Sequence, residues 1–209
     1  MDGSQKKRRK TSSAAAAPLQ LLECGAVAQF YSKSKDADDL GLGRPDWRRV
    51  LSNFHQVELV VEGRTFSSVE HAFHAAKARC SDKPSVAAAF ELGGRVPKDP
   101  LTAKKAGGRA GFKKLGATLD VARWDAERDG AVLAALRARF AVDSLFREIL
   151  AACHAKELHL LHFERGGAKS YWGGSVRKAD GEQVGVNRLG EMLMELAAGR
   201  SETERLNTT

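Results

Sequence analysis

The sequence is poor in cysteine, and the three it has are badly placed for cross-linking. Cys24, Cys80 and Cys153 are odd in number, widely spaced and free of any CxxC pairing. That excludes a disulfide framework or a zinc ribbon and predicts free thiols. No apolar run approaches the roughly 20 residues needed to span a bilayer, so no membrane segment is expected. A secretory leader is not expected either, because the basic start from Lys6 to Lys10 runs into Ala14 to Ala17 and Pro18 rather than a Leu-rich stretch. The protein is therefore expected inside the cell, nuclear and/or cytoplasmic. No internal repeat is visible, and Gly107-Gly108-Arg109-Ala110-Gly111 has neither the GxGxxG spacing nor the lysine of a Walker loop.

What is present suits one soluble domain. The chain has 209 residues, of which 43% are hydrophobic and 29% charged, enough to bury a single core. The formal charge of +8 is unevenly spread, with five Lys or Arg against Asp2 alone in residues 1–20. That segment is polar and without periodicity and reads as a disordered tail. Its run Lys6-Lys7-Arg8-Arg9-Lys10 fits a nuclear localisation signal, a phosphate-binding arm or a solvated terminus. A domain over residues 21–199 and a frayed end at 200–209 complete the expected organisation.

Within the domain, residues 21–31 read as a first strand and 57–61 as a second, which turns at Glu62-Gly63-Arg64 into Thr65-Phe66. A capping box, Ser67-x-x-Glu70, is expected to open a helix running to about Arg79. Further helices are predicted over 85–92, 125–140 and 144–153, with a strand over 158–163 and a glycine-rich loop over 166–174. A last helix is expected from Asn187 as N-cap to Gly199 as stop. Residues 104–108 give no clear pattern. The alternation of short strands with longer helices predicts an α+β fold, mostly α-helical, as one compact domain with a few short strands.

The helix after Ser67 carries the most chemistry. At about 100° per residue, Glu70, His74 and Lys77 fall within an arc of roughly 60°, beside an apolar face of Val69, Ala72, Phe73, Ala75 and Ala76. An acid, an imidazole and an amine against a hydrophobic wall make a candidate site. The same pattern also describes the wet edge of an amphipathic helix whose Glu70 closes a capping box. A metal reading fails on spacing, since His71 and His74 are three apart rather than the four of HExxH, and His159 and His162 are three apart on an expected strand. No metal or other cofactor is expected. Leu51-Ser52-Asn53-Phe54 places an amide and a hydroxyl between apolar anchors, and Tyr171-Trp172-Gly173-Gly174 offers aromatic faces and accessible backbone. Lys104, Lys105, Arg109, Lys113 and Lys114 form the densest basic cluster of the folded part, suited to phosphate or to plain solvation.

Taken in order, Leu51-Ser52-Asn53-Phe54, Phe66-Ser67-Ser68-Val69-Glu70-His71-Ala72-Phe73 with Lys77-Ala78, Tyr171-Trp172-Gly173-Gly174, and Gly185-Val186-Asn187-Arg188-Leu189-Gly190 with Leu193-Met194 resemble the NADAR (YbiA-like) family. The similarity runs from about Phe30 to Leu196. It implies an N-glycosidase. Some members act on riboflavin-pathway ribosylamino-pyrimidine phosphates, and others remove ADP-ribose from the amino group of guanine in nucleic acid. Carried onto this chain, Glu70 and Lys77 become the catalytic pair, with Asn53, Phe54, Trp172, Gly173, Asn187 and His74 as substrate-binding residues. The reading preferred at this point is a guanine-ADP-ribose hydrolase, of monomeric state, acting through an imine between Lys77 and the opened ribose, with a Glu70-activated water as the alternative route. The implied partners are ADP-ribosylated guanine in DNA or RNA, or ADP-ribose itself. A riboflavin-intermediate glycosidase and a non-catalytic ADP-ribose or nucleic-acid reader are the alternatives. Two positions depart from the family pattern. Lys169 stands where an acidic residue is usual and His55 where an aromatic is usual, and Lys169 is expected to make the pocket more positive.

Overall fold

A computed structural model describes residues 21–199. The expected tail over 1–20, with its basic run, and the end at 200–209 lie outside the described residues. Within them the chain folds into seven α-helices, two 3-10 helices and six short strands. The mostly helical α+β expectation holds.

Two strands distant in sequence form the spine. β1 (Val27–Phe30) pairs in parallel with β4 (His159–His162), Phe30 standing beside His162. Ala28, Phe30, Leu160 and Leu161 are buried. Against β4 of this ribbon packs α7 (Arg188–Ala197), and against α7 packs α6 (Ser144–Ala155), which buries Phe146, Ile149, Leu150 and Cys153 along one stripe. The strand expected over 21–31 is thus confined to its last residues. Between β2 (Leu59–Val61) and β3 (Arg64–Phe66) lies a two-residue turn, with Glu62 at φ 52° and Gly63 at φ 75°. Two successive positive φ values are what a tight hairpin of right-handed twist requires, and glycine meets that need without strain.

The helix α2 (Val69–Arg79) is buried almost all round. Its small residues Ala72, Ala75, Ala76 and Ala78 let it sit closely against the 3-10 helix Pro84–Phe90 and against α5 (Val121–Val142). The N-cap is Ser68 rather than Ser67, and its Oγ accepts from the His71 amide at 3.4 Å. The one-residue shift breaks the expected capping box. Glu70 no longer reaches back to the cap and is free for another partner. Residues 104–108, patternless in sequence, span the junction of two short helices, α3 (Pro100–Ala106) and α4 (Arg109–Leu115). Asp99 caps α3 through its carboxylate, and Asp120 likewise starts α5 four residues before the expected 125.

Arg139 of α5 is the largest charged side chain in the interior, at 0% exposure. Its Nε donates to Asp143 at 3.0 Å, while its two terminal nitrogens donate to the carbonyls of Ser52 (3.1 Å) and Val50 (2.7 Å). Burial pulls its pKa down to about 10, which still leaves it charged at neutral pH. One buried guanidinium therefore ties the segment before Asn53-Phe54, after α1 (Trp47–Val50), to the central helix.

Candidate active site

A cleft of about 620 Å³ opens where α2, the Ser52–Phe54 segment, the end of β4 and the Trp172 loop meet. Its lining includes Asn53, Phe54, Glu70, Phe73, His74, Lys104, His162, Glu164 and Trp172. The supposed wet edge of α2 is therefore not wet. Glu70 is 8% exposed and His74 4%.

At the floor, His74 Nε2 lies 3.1 Å from Glu70 Oε1, four residues earlier on the same face. A carboxylate only accepts, so the imidazole carries its proton on Nε2 and donates it there. The other ring nitrogen, Nδ1, is buried without a partner, as are Asn53 Oδ1 and His162 Nδ1. Two of these atoms lie against glycines, His74 Nδ1 at Gly107 and His162 Nδ1 at Gly173, and buried polar groups of this kind are costly to leave unbonded. Phe73 sits edge-on to Trp172, their ring centroids 5.6 Å apart, and edge-on to His74 at 4.8 Å, giving the cleft aromatic walls.

Trp172 is held from behind. The neighbouring Tyr171 donates its hydroxyl to Asp129 at 2.6 Å, Arg188 Nε donates to the same carboxylate at 2.7 Å, and Arg128 stacks over the Tyr171 ring at 3.6 Å. His162 has its pKa lowered chiefly by burial, with Glu164 and Glu70 pulling the other way. Glu164 accepts from the Ser170 hydroxyl.

Of the eight residues expected at the site, Glu70, His74, Asn53, Phe54 and Trp172 line the cleft. Three do not. Gly173 lies behind the wall, where a Cβ would come within 2.4 Å of the His162 carbonyl. Asn187, 1% exposed, adopts φ 60° and does not cap α7 with its side chain. Its Oδ1 accepts from the His162 amide at 2.9 Å and its Nδ2 donates to the Leu160 carbonyl at 2.8 Å, so it splices the helix start onto β4. Both residues shape the cleft through the backbone they hold.

Lys77, one turn beyond His74, faces a second cleft of about 940 Å³ with Gly107, Arg109, Phe112 and Lys113. Its ammonium donates to the Gly107 carbonyl at 3.1 Å, and burial lowers its pKa against the opposing pull of Glu70. Gly107 stands between the two side chains of α2. A Cβ there would lie 1.9 Å from His74 Nδ1. The amines that share the cleft with Glu70 are instead Lys33 and Lys104, the Lys104 Nζ lying 5.6 Å from the Phe54 ring centroid. Lys169 is exposed and does not line the cleft, so it does not charge the pocket as expected, and Glu164 supplies a carboxylate to the wall.

His162, Glu164 and Lys104 were the functional positions hardest to see in sequence. His162 surfaces only in a histidine count, and Lys104 only as one member of a basic run. His71, by contrast, is structural. Its Nε2 donates to the Pro97 carbonyl at 3.0 Å, which leaves Nδ1 to accept from Ser68 at 2.8 Å. Among the described residues no group of three or more His, Cys, Asp or Glu is placed to hold a metal ion, and no helix is long and apolar enough to cross a membrane.

Fold and cleft together define an α+β protein of YbiA-like architecture. The E. coli protein YbiA, solved by NMR, matches with a TM-score of 0.59 and 26% identity, over 90% of this chain and 92% of that one. Residues 30–199 match the NADAR domain, and the chain belongs to the NADAR family, which includes N-glycosidases. No curated protein matches the sequence.

Proposed function

We propose that the protein hydrolyses the bond between ribose C1 and nitrogen, removing ADP-ribose from the amino group of guanine in DNA or RNA. The observation that carries this reading is the buried Glu70 carboxylate, held by His74 at the floor of an aromatic cleft. Breaking the C1–N bond leaves its electron pair on nitrogen and positive charge on C1. A fixed carboxylate in a water-poor setting stabilises that charge and accepts a proton from the water that adds to C1. The nitrogen needs a proton as it leaves, and the Lys104 ammonium lines the same cleft. Phe54, Phe73 and Trp172 suit a planar base, and Lys33, Arg165 and Lys104 on the lining suit a pyrophosphate.

An imine between lysine and the opened ribose needs an amine that is both partly neutral and within reach of C1. Burial lowers the Lys77 pKa, but Lys77 faces the other cleft, whereas Lys104 lines the Glu70 cleft but is exposed. Water activated by Glu70 is the route this arrangement favours. Borohydride trapping separates the two. No adduct is expected with the wild-type protein, whereas an adduct lost in Lys104→Ala or in Lys77→Ala would assign the imine to that residue.

The substrate is tested by offering the protein ADP-ribosylated guanine, as nucleoside and within an oligonucleotide, beside a ribosylamino-pyrimidine phosphate. Release of ADP-ribose is expected from the first two. Turnover of the pyrimidine alone would move the assignment to the riboflavin intermediates, and tight ADP-ribose binding without turnover would make the protein a reader. The proposed setting is the nucleus and/or cytoplasm, as a monomer.

A further inference from the structure

From Pro100 to Leu119 the chain contains no acidic residue but carries Lys104, Lys105, Arg109, Lys113 and Lys114, all exposed. The segment is the α3–α4 pair, folded as a wall with a cleft on either side. Lys104 lines the Glu70 cleft, while Arg109 and Lys113 line the second. Several exposed or half-buried arginines elsewhere are matched by carboxylates, as in Arg48 with Asp39, Arg79 with Glu62, Arg123 with Glu127 and Arg188 with Asp129. The side chains of Arg109, Lys113 and Lys114 make no ion pair or hydrogen bond with any described residue. Crowded, unmatched like charge is destabilising unless a partner supplies the counter-charge.

We propose that the α3–α4 wall is a docking surface for the phosphodiester backbone of a single-stranded nucleic acid that enters the Glu70 cleft with its modified base. The proposal deepens the glycosidase reading and rests on it for the base that enters. Arg109 and Lys113 are one turn apart on α4, about 6 Å along the axis, on the scale of successive phosphates in an extended strand. Lys104, on the same helix pair, lines the cleft that carries the aromatic walls. An acidic peptide would find the charges but no use for those walls, and a strand uses both.

The test uses the full chain, wild type and a variant carrying Lys105→Gln, Arg109→Gln, Lys113→Gln and Lys114→Gln, so that the basic run at Lys6 to Lys10 is common to both. Binding of an unmodified single-stranded oligonucleotide is followed by fluorescence anisotropy over salt. Each phosphate neutralised contributes about −0.7 to the log–log salt slope of a single strand, so removing four contacts lowers the slope by up to about 3. Hydrolysis of the ADP-ribosylated guanine nucleoside, which has no strand, is expected to be unchanged in the variant, while turnover within the oligonucleotide falls at least about tenfold at physiological salt. An unchanged salt slope overturns the proposal. So does equal competition by polyglutamate at matched charge, and so does a parallel loss of nucleoside turnover. If the wild type hydrolyses neither form, the glycosidase reading fails by itself, and the salt slope still decides the surface.

Discussion

Replacing Arg139 with Met should cost about 3–5 kcal/mol of stability, the range for removing one partner of a buried pair. The guanidinium is fully buried and makes three hydrogen bonds, and its ring stacking on Phe146 at 4.0 Å leaves no route for water to replace it. Methionine fills most of the volume but leaves the Asp143 carboxylate without its cation, the Val50 carbonyl without a donor, and the Ser52 carbonyl with the His55 amide alone at 3.0 Å. Each orphaned group costs about 1–3 kcal/mol. Asp143 is partly compensated because its other oxygen caps α6 by accepting from the Phe146 amide at 3.0 Å, which keeps the total inside the stated range. For a domain of this size about 2–4 °C of Tm accompanies each kcal/mol, so thermal melts followed by circular dichroism should shift down by about 6–20 °C. Arg139→Lys, which keeps the charge but loses the fork, should fall between. Because Ser52 precedes Asn53 and Phe54 on the cleft wall, the folded fraction of the Met variant should also lose activity. A Tm shift below about 3 °C would refute the claim that this residue anchors the wall.

Gly107→Ala drives a methyl into the His74 ring. It should therefore lower the turnover number at least about tenfold by displacing the imidazole from Glu70, at a cost in stability of about 1–3 kcal/mol; an unaffected rate would show that the close packing is unimportant. Burial holds the pKa values of His55, His71 and His162 below their ordinary value of 6.5. The unfolded chain then takes up protons first, so this stability is complete above pH 6.5 and is lost as the pH falls through the lowered folded values. The loss is at most about 1.4 kcal/mol per pH unit for each histidine. Melts that do not change between neutral pH and mild acid would contradict it. Burial raises the Cys80 thiol to about 11 and Cys153 to about 12, so a thiol reagent at neutral pH should reach exposed Cys24 alone until the chain is denatured. Rapid modification of more than one thiol in the native protein would count against the packing described.

The helices with strong apolar periodicity, α6 and α7, were legible in the sequence because a single stripe fixes which side turns inward. The β2–β3 hairpin was legible because Glu62-Gly63 leaves the chain little choice of turn. Where reading failed, tertiary partners had decided the outcome. Ser67 and Ser68 both satisfy a cap by type, and only the packing of α2 selects Ser68 and releases Glu70 toward His74. Asn187 stands at the N-cap position of α7 as expected, but two strand groups of β4 take its side-chain amide in place of the cap bond. Lys77 was read as the partner of Glu70 and Lys104 only as one of a basic run, because the Gly107 junction that turns Lys77 to the second cleft is formed by a segment without a sequence pattern. Glu164 escaped attention for a related reason. Its place in the wall depends on the turn after β4 and on Ser170 rather than on helical spacing.

The measurement that bears most directly on the central claim is single-turnover hydrolysis of an oligonucleotide carrying ADP-ribosylated guanine, comparing wild type with Glu70→Gln. Glutamine keeps the shape and can still meet His74, but it neither balances charge at C1 nor accepts the proton of water. The account predicts free ADP-ribose and unmodified oligonucleotide from the wild type, and a rate lowered by about 10² to 10⁴ in the variant with binding retained. A variant that releases ADP-ribose as fast as the wild type would contradict it.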